Sequence, residues 1–480
     1  MIFSTIEYAV FLILLLVVYY TINKRFQKYL LLIGSVIFLG YLSINFLVFT
    51  LVFILVNYLI GIGIAHSRSI NTRKAIYLGG ILLDVSLLAF FKYINFLLEN
   101  ILDIFGSLLQ PVDIPFFNIV APIGISFYTF LCIGYFIDLK RGTIKPEKNI
   151  LVFANFVLFF PKLLSGPIER SNHLFPQLKK TYQWNQKLFN DGLVQMFWGF
   201  FKKLVIADRL AVLVGNIYGD LYDYSGMPLL IILVVQVVHL YFDFSGYTDI
   251  VLGTAKLFGI RLINNFERPL LAKNVSMFWR RWHISLTQWC NDYIFRRIII
   301  KRLKWKKWAS VYGVFVTFLV IGIWHGPRWN YVLLGILQAI AINYEFFTKR
   351  ERLKISSRVH PKINVFLSRC ITIIFFGVTL IFFNAKTVKE AFYFIGHLFK
   401  GLEFKLVGYN MGLLREDLLI AFLGTIIVLL VDYLNEKNIY IRDWLSTKPV
   451  WLRWSVYYGL VLTVIIFGKF AASDFIYVQF

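Results

Sequence analysis

Acidic residues are scarce in this chain: 26 Asp and Glu stand against 50 Lys and Arg in 480 residues, a formal net charge of +24. Cysteine is scarcer still, with only Cys132, Cys290 and Cys370. The three are scattered through apolar surroundings and form no CxxC pair, which excludes a disulfide framework and a thiolate zinc site, and no metal is expected. No Gly-rich phosphate loop or aromatic RNA-binding signature accompanies the positive charge, so nucleic acid is not the implied partner. Internal repeats, low-complexity tracts and long linkers are absent, which argues for a single domain over 1–480. A basic n-region is missing too. Glu7 is the only charge before Lys24, and no small-residue cleavage site follows the first apolar run. That run is therefore expected to stay as a first helix rather than leave as a signal peptide.

What the chain has in abundance is apolar surface. Hydrophobic residues make up 59% and aromatic residues 18%, with a mean hydropathy of +0.69. A soluble domain does not carry that much apolar surface. Runs of spanning length recur throughout. They are Ile6–Ile22, Tyr29–Leu42, Phe46–Ile64, Ala75–Phe96, Phe117–Ile137, Ile150–Leu164 and Leu193–Tyr218. Further runs are Leu229–Phe242, Val311–Ile323, Tyr331–Phe347, Val365–Phe383, Leu418–Leu434 and Trp454–Phe470. The expected fold is all-α, a polytopic transmembrane bundle of about 11–13 helices, some of them re-entrant where Gly and Pro interrupt them. Two places look unlike bundle core: Pro111–Phe116, with two prolines, and Pro161–Trp184, rich in Pro and charge.

The excess positive charge reads as topology. One basic block holds Arg296, Arg297, Lys301, Arg302, Lys304, Lys306 and Lys307, and a second holds Lys349, Arg350, Arg352, Lys354, Arg358 and Lys362. If both blocks are cytoplasmic, the segment between them crosses and returns. Its turn is then Gly326-Pro327-Arg328, away from the cytoplasm, beside His325 in Ile323-Trp324-His325-Gly326. The same blocks could also dock anionic lipid. A full charge at the helix centre costs about 2.5–3.5 kcal/mol on insertion scales, so an ionisable side chain at that depth points to function. Imidazole is also the group best suited to move a proton near neutral pH.

Three further stretches interrupt the apolar pattern. Ser165-Gly166-Pro167-Ile168-Glu169-Arg170 follows Phe159-Phe160-Pro161, so irregular backbone holds Ser165, Glu169 and Arg170 at a membrane boundary. Such backbone lines a cavity or is buried in protein, or it is an interfacial turn with Arg170 reaching headgroups. In Tyr241-Phe242-Asp243-Phe244-Ser245-Gly246-Tyr247-Thr248-Asp249, the two carboxylates are six apart and do not share a helix face. Unless Gly246 breaks the helix they are expected to orient a histidine or to pair with an arginine of the basic segments. His239 reads as a packing histidine. Finally, Asn265-Phe266-Glu267-Arg268-Pro269 runs into Phe278-Trp279-Arg280-Arg281-Trp282-His283-Ile284-Ser285-Leu286-Thr287-Gln288-Trp289. Trp279, Trp282, Leu286, Trp289 and Tyr293 recur at helical spacing, which predicts an amphipathic helix with an indole-rich face at the membrane interface or a cavity rim.

Together, Ser165 to Arg170, Asp243 to Tyr247, Phe278 to Leu286 and Ile323 to Gly326 resemble the membrane-bound O-acyltransferase family over essentially the whole chain. The similarity is greatest to its bacterial branch of alginate O-acetyltransferase membrane subunits. The closing Asp474-Phe475-Ile476-Tyr477-Val478-Gln479-Phe480 leans to that type over the D-alanyl type. The resemblance implies a bundle with a central funnel or tunnel. It implies His325 as the catalytic histidine and His283 as its companion. Asp243, Ser245, Trp324 and Asn330 are expected in support, and Ser165, Glu169 and Arg170 as donor or cavity lining. Arg280 and Arg281 would contact donor phosphates or hold lipid headgroups. The implied donor is acetyl-CoA, with no tightly bound cofactor. The implied partners are membrane lipid, an extracytoplasmic acyltransferase and a cell-surface polysaccharide acceptor. The implied location is the bacterial cytoplasmic membrane.

Two other classes remain as rivals. A D-alanyl transferase would use the same chemistry, with Arg296–Lys307 docking an acidic carrier protein. A transporter would also place polar residues at the midplane on broken helices. Yet the sequence lacks inverted repeats and a ladder of carboxylates. A scaffold that only recruits secreted enzymes has no reason to bury a histidine in a hairpin.

Overall fold

The computed structural model describes residues 2–105, 119–402, 412–470 and 475. Pro111–Phe116 and all of the closing segment except Phe475 therefore lie outside the described residues. The described chain is helical, and eight helices are long and apolar enough to cross a membrane, or nine counting one bent pair. The other expected runs are present as shorter or broken helices: Ile6–Thr21 has 16 residues and Ile125–Arg141 has 17. Ile150–Leu164 splits at Phe159 into Ile150–Leu158 and Phe160–Leu163, and Leu193–Tyr218 is interrupted by a π-helix at Phe201–Ala207. The backbone contacts divide the chain into two units, 1–192 with 254–263, and 193–253 with 264–480.

In the first unit, α1 (Ile6–Thr21), α2 (Gln27–Leu42), α3 (Ile44–His66), α4 (Ile70–Phe105) and α5 (Ile125–Arg141) pack with the short helices that follow them. Thr5 and Ser43 cap α1 and α3 by accepting the Tyr8 and Phe46 amides. Both ends of α5 turn on a left-handed glycine, Gly124 and Gly142. The α1 residues turned inward are Tyr8, Leu12, Leu15 and Tyr19, while Ile6, Val10, Ile13, Leu14 and Val17 are exposed. Both faces are apolar because the outer one meets lipid, so amphipathicity alone does not mark the core. Inward positions are marked instead by polar side chains that hydrogen-bond one another. Tyr8 Oη and Thr254 Oγ1 lie 3.0 Å apart, and Asn57 Nδ2 donates to Asp84 Oδ1 at 3.2 Å.

In the second unit, to which it belongs up to Gly253, α6 (Met227–Leu257) carries both predicted carboxylates and runs unbroken through Gly246. Two short helices, α7 (Val275–Arg281) and α8 (Ile284–Cys290), lead to the hairpin of α9 (Lys307–His325) and α10 (Trp329–Phe347). They are followed by α11 (Pro361–Asn384), α12 (Arg415–Glu436) and α13 (Val450–Phe467). A Cβ on Gly322 would strike the Tyr331 carbonyl oxygen, and one on Gly335 would strike that of Phe318. These two glycines let the hairpin backbones touch. Both basic blocks flank the same end of the hairpin, and His325 is the last residue of α9, at the opposite end. The helix rises about 1.5 Å per residue, so its 19 residues span about 28 Å between that block and the imidazole. Asp417 joins the start of α12 to Arg209 (2.8 Å) and to Lys469 beyond α13 (2.7 Å).

Candidate active site

His283 does not lie within a continuous amphipathic helix. It sits between α7 and α8 with φ 44° and ψ 52°, a left-handed conformation that costs a residue with a Cβ about 1–2 kcal/mol. Neighbouring backbone holds it there. Glu267 N donates to the Arg281 carbonyl at 2.9 Å and Ile284 N to the Asn265 carbonyl at 3.0 Å, around a bridge between Phe266 and Trp282. The break redirects the indole stripe as well. Trp279, Trp282, Leu286, Trp289 and Tyr293 are all buried, so this face is protein core rather than membrane interface. Trp279 Nε1 is satisfied by Gln338 Oε1 at 2.9 Å, as a buried indole requires.

His325 and His283 converge on one side chain. The Trp324 ring lies 5.7 Å from the His283 ring and 5.2 Å from that of His325. Phe383 (5.4 Å) and Tyr331 (6.1 Å) pack on His325, and Phe244 meets His283 edge-on at 4.8 Å. His283 is 1% exposed and His325 6%. Burial, reinforced by His325 nearby, pushes the His283 imidazole well below its ordinary pKa and keeps it neutral. Asn330 Nδ2 donates to the Ala385 carbonyl at 2.8 Å, tying the hairpin turn to the residue after α11. Trp324 thus adjoins both imidazoles, and Asn330 anchors the turn that follows His325.

Asp243 and Ser245 are differently employed. Asp243 Oδ1 takes the Lys203 ammonium at 2.6 Å, and that ammonium also reaches Asp208 Oδ1 at 2.7 Å. Lys202 Nζ pairs with Asp249 Oδ2 at 2.5 Å and donates to Ser245 Oγ at 3.0 Å. The partners expected for the two carboxylates were a histidine or an arginine. They are instead adjacent lysines of the π-helix, whose wider turn sends neighbouring side chains to carboxylates a turn and a half apart on α6. Gly246 does not break α6. A Cβ there would crowd the Gly199 carbonyl oxygen and the Lys203 amide nitrogen, so the glycine admits the π-helix to close approach. The sequence reading missed Lys202 and Lys203, although two lysines inside the apolar run Leu193–Tyr218 are the signal that intramembrane charge gives.

Beside this network lies a cavity of about 640 Å³ lined by Lys202, Ser245, Asp249, Asp432, Arg268 and Arg442, among others. Phe266 also lines it and packs on Phe244 at 4.9 Å, the ring that meets His283. Arg281 binds Glu436 at 2.9 Å, which leaves it structurally committed, and Arg280 is exposed.

Ser165, Glu169 and Arg170 belong to the first unit. Ser165 and Glu169 are buried. Glu169 is a clamp within that unit: Oε1 accepts the Ile263 amide at 2.6 Å and Oε2 meets His173 Nδ1 at 2.7 Å. The hydrogen bond to Glu169 raises the His173 pKa above its ordinary 6.5, with burial opposing. A folded-state value above the unfolded one gives stabilisation that is complete below about pH 6.5 and is lost as pH rises through the folded value. The melting-temperature gap between the native chain and His173→Ala should therefore be widest in mild acid and close toward alkaline pH. A gap that widens with pH would refute the pairing.

Comparison with known proteins gives a consistent result. Residues 145–385 match the membrane-bound O-acyltransferase family. The chain is 35% identical over 335 residues to the probable alginate O-acetylase of Pseudomonas syringae pv. tomato, covering 69% of this chain and 63% of that protein. It is 30% identical to a peptidoglycan O-acetyltransferase of Helicobacter pylori (78% and 73% covered). It is also 30% identical to a teichoic acid D-alanyltransferase of Bacillus subtilis (54% and 69%). The match thus spans less than two thirds of the alginate relative's own length.

Proposed function

The chain belongs to the membrane-bound O-acyltransferase family, and from that premise we propose that it moves an acyl group, acetyl foremost, from a cytoplasmic thioester toward hydroxyls of a cell-surface polysaccharide. The observation that carries this reading is the meeting of His283 and His325 about Trp324, two buried imidazoles forty-two residues apart in sequence. A hydroxyl is a weak nucleophile until a base takes its proton. His325 serves as that base and returns the proton to the departing thiolate. His283, held neutral, polarises or orients the reacting groups. Acetyl-CoA is the proposed donor, an extracytoplasmic acyltransferase the proposed onward acceptor, and the bacterial cytoplasmic membrane the proposed location.

The cavity lined by Lys202 and Ser245 supports a donor arriving from the cytoplasmic side. It lies by Arg268, Asn435 and Arg442, at the end of α12 that carries Glu436 and leads into the basic residues Lys437, Arg442 and Lys448. The D-alanyl reading keeps one specific support, the exposed basic and aromatic surface at Lys304–Trp308 beside the likeness to a teichoic acid D-alanyltransferase. The test is transfer of label from radiolabelled acetyl-CoA by the purified chain in nanodiscs, run beside carrier-bound D-alanine. Label release from acetyl-CoA supports the acetyl reading. Activity with the D-alanyl carrier alone would replace it, and activity with neither would remove the thioester from the scheme.

A further inference from the structure

One polar side chain beside the histidine pair is left over by the scheme above. Asn265 is fully buried, at 0% exposure. Its backbone carbonyl accepts the Ile284 amide at 3.0 Å and its side-chain Oδ1 accepts the Ser285 amide at 3.2 Å. These are the two residues that follow His283, so Asn265 grips the turn that holds the imidazole in its left-handed conformation. The grip also fixes the carboxamide. Flipping it would set an N–H against the Ser285 N–H, so the oxygen must face Ser285 and the nitrogen must point the other way. That nitrogen, Nδ2, is buried and has no hydrogen-bond partner. Buried amide nitrogens are nearly always paired, and one that is aimed, immobile and unmatched needs an explanation. The flanking Phe266 packs on Phe244 at 4.9 Å, and Phe244 packs on His283 at 4.8 Å, which places the Asn265 turn against the wall of the histidine site.

We propose that Asn265 Nδ2 is a catalytic hydrogen-bond donor to the acyl carbonyl oxygen, a role that rests on the acyl-transfer reading. The acceptor hydroxyl attacks the thioester carbon as His325 takes its proton, and the carbonyl π pair moves onto oxygen. The Asn265 N–H receives that negative charge. Collapse re-forms the carbonyl, breaks the C–S bond and expels the thiolate, which takes the proton back from His325. A donor fixed before reaction stabilises charge that exists only in the transition state, because it need not reorganise when the charge appears. The bond to Ser285 N is what fixes it. The strained turn thus performs two tasks with one residue, since the same side chain that holds His283 presents the donor.

Asn265→Asp separates the two tasks. It keeps an oxygen to accept from Ser285 N and removes both N–H donors. The expected result is a loss of about 10²–10³ in kcat with KM little changed. A second readout excludes simple damage. A dithioester donor, with C=S in place of C=O, accepts a weaker hydrogen bond, so the native chain should favour the oxo donor and the variant should lose that preference. Misfolding would slow both donors alike. If the aspartate variant fails to purify, Asn265→Ser removes the amide without adding charge and carries the same comparison. A native-like kcat, or an unchanged oxo-to-thiono rate ratio, in a folded variant would overturn the proposal while leaving the acyltransferase reading intact. Failure of the native chain to transfer acyl groups would remove both.

Discussion

His325→Ala is expected to lower acyl transfer by about 10²–10⁴, the range a positioned general base contributes, with the protein still folded. The side chain closes α9 against the rings of Trp324, Phe383 and Tyr331, so its truncation removes ring contacts at one end of the helix. Stability should therefore fall far less than rate. The check is label transfer from acetyl-CoA by native and variant chains with matched size-exclusion profiles. Equal activity in the two would show that His325 is not the base. His283→Ala is the informative companion. It loses the imidazole while alanine, which keeps a Cβ, keeps the left-handed strain, so the turn is not relaxed and the effect on rate should exceed the effect on melting temperature.

The second large effect concerns stability. Lys203 joins Asp208 and Asp243, at 2.7 and 2.6 Å, inside the second unit. Removing one member of a buried ion pair typically costs about 3–5 kcal/mol, because the remaining charge stays uncompensated. Lys203→Met removes the cation that two buried carboxylates share, and its cost should fall in that range. Asp243→Asn leaves the Lys203–Asp208 pair in place and swaps one carboxylate for an amide that still offers an oxygen. Its cost should be about 1–3 kcal/mol. The order is the test: thermal or denaturant unfolding in detergent should rank native above Asp243→Asn above Lys203→Met. A Lys203→Met variant as stable as the native chain would show that the pairing carries no stability.

Much of the fold and the position of His325 is legible in the sequence. The recurring apolar runs required a membrane bundle, because unpaired backbone cannot face lipid and helices satisfy their own. The basic blocks around Arg296 and Lys349 lie together at the end of the hairpin opposite His325, as their place in the sequence implied. That residue stood out because ionisable groups are costly there. The cluster of short motifs around Asp243, His283 and His325 carried the family, and the match over 145–385 bears that out.

Other features were not available to a one-dimensional reading. The periodic tryptophans from Trp279 to Trp289 are consistent with an interfacial helix, and nothing local says that the chain turns left-handed at His283. That turn exists because residues 265–267 come back to pair with 281–284, a contact between segments separated in sequence. Likewise, Asp243 and Asp249 announced that they needed partners, but only the π-helix and the close approach at Gly246 decided that the partners were Lys203 and Lys202. Sequence by itself determined what lipid demands of each segment, since hydropathy and charge are properties of the residues. Tertiary structure alone decided which buried polar groups answer one another, because that depends on where distant backbone brings them.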